Sequence, residues 1–123
     1  MNIETGIVTA LQTISGLGVY PSYVQEGRVT PYVEYAKTNI DYDRSLERVA
    51  SMLNNDMFEF NVITDTKSQL VTYGDAIQDK LLSLWNTTVG GEYIQDVEIL
   101  NRLSKYEADI NKHGEIMEVT ISY

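Results

Sequence analysis

The chain has 123 residues, 43% of them hydrophobic and 22% charged, a balance that suits a single folded domain, residues 1–123, around one core and lies far from disordered composition. Nine Lys and Arg against eighteen Asp and Glu give a net charge of -9, which opposes binding to phosphate backbones and disfavours sequence-specific nucleic-acid recognition. The chain lacks cysteine, which excludes disulfides, thiolate nucleophiles and cysteine-ligated zinc.

From Ile3 to Ser15, Ile3, Ile7, Leu11 and Ile14 recur at spacings of four and three, one face of a helix that Gly16 is placed to stop. Leu17 to Val29 holds Gly18, Pro21 and Gly27 and reads as an irregular connection with a short extended piece at Val19-Tyr20. Pro31 then opens a strand from Tyr32 to about Ile40, rich in aromatic and β-branched residues. Asp41 to Asp56 has Leu46, Val49 and Leu53 at helical spacing but is dense in charge, Asn and Asp, so it is expected to be a long, partly mobile excursion. A strand follows over Met57–Thr64, with Phe58, Phe60 and Val62 on its buried side and Glu59 and Asn61 opposite.

Thr66 and Gln69 stand where a capping box would start a helix. Leu70, Tyr73, Ile77, Leu81 and Leu84, with Trp85 beside them, form its apolar stripe, while Thr72, Asp75, Gln78, Asp79 and Ser83 are expected to face water. Gly90-Gly91 turns the chain into a strand from about Glu92 to Lys105, Asn111–Gly114 is expected to be a turn, and Glu115–Tyr123 is the last strand, with Met117, Val119, Ile121 and Tyr123 inward. The order αββαββ predicts an α+β fold: a four-stranded, mainly antiparallel sheet with both helices on one face. The other face would carry Glu34, Glu59, Asn61, Asp96, Glu98, Glu118 and Thr120, polar enough to meet water or a partner subunit.

Little in the chain points to catalysis. His113 is the single histidine and falls in an expected turn, so a nucleophile–histidine–acid arrangement has no favourable frame. Asp41/Asp43 and Asp96/Glu98 are carboxylate pairs without a third oxygen ligand at a recognisable interval, and read as solvated charge. Gly16-Leu17-Gly18 follows a helix instead of a strand and does not make a dinucleotide fingerprint. No catalytic, metal or cofactor residues are therefore assigned, and the chain is expected not to be an enzyme. Nine tyrosines suit sheet packing and also a contact surface. No run approaches the ~18 apolar residues of a membrane span and no basic segment precedes an apolar one, so the expected product is cytosolic when made and free of the membrane.

Gly18-Val19-Tyr20-Pro21-Ser22, then Glu26-Gly27, then Thr30-Pro31-Tyr32-Val33-Glu34-Tyr35 resembles the N-terminal pattern of tail terminator and tail completion proteins of long-tailed bacteriophages. In that family a helix leads to a short "VYP" segment and a "PYV-Y" strand, followed by strand, helix and two closing strands. The 41–56 excursion is longer than compact members would carry. The resemblance implies a ring homo-oligomer, typically of six, that caps the head-proximal end of the tail tube, stops its growth and docks on the head–tail connector. It implies the host cytoplasm during assembly and then the virion, with DNA passing through the ring. Alternatives are a head-side completion or adaptor protein of the neck, and a small-molecule-binding regulatory module. A ring closed by one repeated contact needs two different patches per subunit. The candidates are Tyr42, Arg44, Leu46, Glu47, Arg48, Met52 and Leu53 in the excursion, and Glu59, Asn61 and Glu98 on the exposed sheet.

Overall fold

The computed structural model describes residues 3–21, 29–40, 55–108 and 111–123. Their elements are α1 (Ile3–Leu11), β1 (Gly18–Pro21), β2 (Tyr32–Ile40), β3 (Asn55–Thr64), α2 (Lys67–Leu82), β4 (Thr88–Val89), β5 (Glu92–Tyr93), β6 (Asp96–Glu107) and β7 (Lys112–Ser122). Among the described residues this is an α+β arrangement of two helices, a mixed five-stranded sheet ordered β1-β2-β3-β7-β6, and a small β4–β5 hairpin.

The sheet corrects the expectation of four mainly antiparallel strands. Val19-Tyr20 belongs to a strand of its own, β1, which pairs parallel to β2 with Gly18 opposite Tyr32 and Pro21 opposite Tyr35. Four residues containing Gly and Pro carry too little alternation to announce a strand, and Pro is tolerated here because β1 is an edge. The other pairings, β2–β3, β3–β7 and β7–β6, are antiparallel.

Other boundaries also moved. Gly90 and Gly91 have φ of 58° and 85°, the left-handed pair a tight two-residue hairpin favours, so Glu92-Tyr93 closes a separate hairpin and β6 starts only at Asp96. His113 and Gly114, expected in a turn, lie inside β7: His113 is opposite both Tyr106 and Thr64, its ring 4.8 Å from that of Tyr106. Polar residues prolong the β6–β7 ladder past the buried part of the sheet, where no apolar alternation marks the pairing. Finally, α1 ends at Leu11, short of Ser15, and turns carry the chain to Gly16, whose φ is 82°.

The helices owe their positions to their stripes. Ile3, Ile7 and Leu11 of α1, and Leu70, Ile77 and Leu81 of α2, are buried with Phe58, Phe60 and Val62 of β3 and Met117, Val119 and Ile121 of β7 in one hydrophobic cluster. Burying each such side chain contributes about 1.5–3 kcal/mol. α2 lies over β3, β7 and β6, and α1 packs on α2 and β4; the buried residues of both helices share one cluster with the inward residues of β3 and β7, so both helices lie on the same side of the sheet. The start of α2 is fixed by Thr66, whose Oγ1 accepts from the Gln69 N–H at 3.1 Å, while Gln69 Oε1 accepts from the Asp65 N–H at 3.3 Å, one residue earlier than a standard capping box. α2 stops at Leu82, which leaves Trp85 outside the stripe and 49% exposed.

Candidate subunit-contact surface

Side chains directly opposite each other on neighbouring strands share a face, and the register therefore defines the sheet surface that the helices leave open. Glu34 is opposite Asn61, Glu59 opposite Glu118, Glu98 opposite Thr120 and Asp96 opposite Ser122. All seven residues expected on the polar face thus lie on it, including the contact candidates Glu59, Asn61 and Glu98. Asn61 donates from its amide nitrogen to Glu34 Oε1 at 3.0 Å, while its buried Oδ1 meets no donor among the described residues. Glu59 and Glu118 set two carboxylates side by side at the centre of the face, where neighbouring charge of the same sign is destabilising.

This face has a second component that the alternation did not reveal. Tyr32 is opposite Ile63, Asn61 opposite Ile116, and Ile116 opposite Leu103, while Tyr20 meets Tyr32 edge-on with ring centres 5.9 Å apart. An apolar band therefore crosses one end of the sheet beside the acidic rows. Leu103 joins it because β6 carries a bulge between Ile99 and Asn101: even-numbered residues face outward before the bulge and odd-numbered ones after it. The band's exposed member is Leu103, at 59%.

Behind the bulge the same phase shift turns Arg102 towards α2. Its guanidinium lies 2.7 Å from Glu115 Oε1 and 3.2 Å from Asp75 Oδ1, and donates to Gln78 Oε1 at 2.9 Å. Asp75 and Gln78 were expected to face water. Asp75 does so, 61% exposed while it also meets Arg102, whereas Gln78 is half-buried and ties the helix to the sheet; sequence reasoning missed Arg102 because its role depends on the bulge. At the opposite end of the strands, Asp56 is buried between Lys37, 3.2 Å away, and Tyr123, whose hydroxyl donates to it at 2.5 Å. Asn55 and Asp56, expected in the excursion, are the first residues of β3. Tyr42, Arg44, Leu46, Glu47, Arg48, Met52 and Leu53 lie outside the described residues.

A shallow groove of about 390 Å³ runs between α1 and the β4–β5 hairpin, bordered by Thr5, Thr9, Thr13, Leu84 and Val89, and none of its lining residues is titratable. Among the described residues no group of three or more His, Asp or Glu side chains is placed to hold a metal ion, and no helix is long and apolar enough to cross a membrane. What the surface offers is acceptors, carboxylates and a band of large apolar side chains, which suits contact with another macromolecule.

No family model matches the chain, and no curated protein matches it. Among solved structures the chain is similar to a chain described as "Virion of native gene transfer agent (GTA) particle", with a TM-score of 0.70 and 14% sequence identity, over 98% of this chain and 92% of that chain. The two share a fold. At that identity the likeness is one of fold and not of individual side chains.

Proposed function

We propose that the chain is a structural assembly protein of a phage-type virion, the tail terminator or completion protein, and that it has no catalytic role. In this reading its copies close into a ring, of six subunits, that caps the head-proximal end of the tail tube and offers the opposite rim to the head–tail connector. The observation that carries the reading is the match of almost the full chain to a protein of a gene transfer agent virion. It is supported by the Tyr20-Pro21 and Pro31–Tyr35 pattern of the sequence and by a sheet face whose carboxylates and apolar band suit a neighbour.

A ring closed by one repeated heterologous contact uses two patches. The open sheet face with Glu59, Asn61 and Glu98 is one, and the segment carrying Tyr42, Arg44, Leu46, Glu47, Arg48, Met52 and Leu53 is the other. The acidic balance of the chain lets DNA pass through such a ring without being held. The protein then resides in the host cytoplasm during assembly and afterwards in the virion. Electron microscopy of the purified chain at high concentration tests the reading: closed rings are expected, and open filaments or a strict monomer that ignores tail tubes would overturn it.

A further inference from the structure

We infer that β6 is a pairing edge for a second copy of this chain, joined antiparallel about a two-fold axis in a register that sets Asp96 opposite Lys105 of the other copy. This goes beyond the ring reading and does not depend on it.

β6 is the last strand of the sheet and runs for twelve residues. Its outer edge carries backbone groups that no strand of the described chain pairs, and Leu100 and Leu103 stand on it 44% and 59% exposed. A long, partly apolar edge is a template for another strand. The charges on this one say which strand fits. Asp96 and Glu98 occupy the first half and Lys105 the second, so antiparallel pairing with itself brings opposite signs together, whereas β1, the other edge, is four uncharged residues.

The bulge narrows the register. Outward-facing residues are even-numbered before it and odd-numbered after it, so a two-fold pairing keeps faces matched only when an even position meets an odd one. Pairing Asp96 with Lys105 does so, and it also places Glu98 on Leu103, Val97 on Ser104 and Ile99 on Arg102, with both copies of Leu100 beside the axis. A shift that pairs Glu98 with Lys105 would leave Asp96 with no cation opposite it. The favoured register makes two symmetric ion pairs and extends the sheet across both copies. Because a two-fold contact closes at two subunits, it removes the free edge without starting an open polymer.

Sedimentation velocity over a range of concentrations, with circular dichroism to verify folding, tests this. The unaltered chain should show a concentration-dependent dimer. Lys105→Glu should weaken that dimer by about tenfold or more, and Asp96→Lys combined with Lys105→Glu should restore it. A dimer indifferent to Lys105→Glu, the absence of any dimer, or rescue by Glu98→Lys in place of Asp96→Lys would overturn the inference.

Discussion

The Arg102 guanidinium sits 2.7 Å from the buried Glu115 carboxylate, bridging two neighbouring strands directly beneath α2. Removing one member of such a pair strands a charge away from water, whereas replacing both with apolar groups does not. Arg102→Met should therefore destabilise the chain by about 3 kcal/mol, and the Arg102→Met/Glu115→Met double variant by clearly less. Urea unfolding of the four proteins of this cycle measures the coupling.

Gly6 marks the closest approach of α1 to the hairpin. A Cβ there would lie 2.4 Å from Val89 Cγ1 and 2.7 Å from the Gly90 backbone nitrogen, and the second atom cannot rotate aside. Alanine normally gains about 1 kcal/mol over glycine in a helix interior, but here overpacking should win, so Gly6→Ala is expected to lower the unfolding free energy by about 1–2 kcal/mol. A shift of the denaturant midpoint to lower urea is the readout.

Burial, then the hydrogen bond to Asp56 and the charges of Asp56 and Glu92, push the Tyr123 phenol well above its ordinary value. A raised value means that the folded state holds the proton longer than the unfolded one. The stabilisation is therefore complete below about pH 10, where the unfolded phenol titrates, and is lost as pH rises further. Thermal melts from pH 8 to 11 should show stability falling on the alkaline side, and Tyr123→Phe should flatten that fall while costing stability at pH 8.

Glu59 and Glu118 face each other across β3 and β7. Glu118→Gln relieves their repulsion and should stabilise the subunit by about 0.5 kcal/mol, yet under the ring reading it should reduce assembly, because the acidic face is one of the two patches. Paired melting and ring-yield measurements separate the effects. An increase in both would remove the face from the contact.

The parts of this architecture that could be read in advance are those where burial forces a period. The stripes of α1 and α2 and the alternation of β3 and β7 each line one core, so Phe58, Phe60, Met117 and Val119 announce themselves. What escaped depends on backbone events that side-chain type does not encode. β1 is held by parallel pairing of four residues, and His113 entered a ladder with no apolar alternation around it. The bulge at Ile99/Asn101 reversed the phase of β6, which moved Leu103 onto the open face and Arg102 under the helix. Of the proposed contact surface, the acidic half was legible from Glu59, Asn61 and Glu98, and the apolar band was not.

The segment joining β2 to β3 gives a test of the second patch. Ile40 is opposite Asp56, so deleting Asp43–Asn54 leaves Asp41, Tyr42 and Asn55 between paired positions, a loop length that hairpins accept. The shortened chain should fold with a melting temperature near that of the full one and fail to form rings. Undiminished ring formation would dismiss that segment as a contact.

The central claim is that this chain stops a tail tube. It is tested most directly by adding the purified protein to tubes growing from their own subunits and following tube length by electron microscopy. The account predicts that growth halts and that a ring of density appears at one end only. Tubes that lengthen unchanged, with no added density at either end, would contradict it.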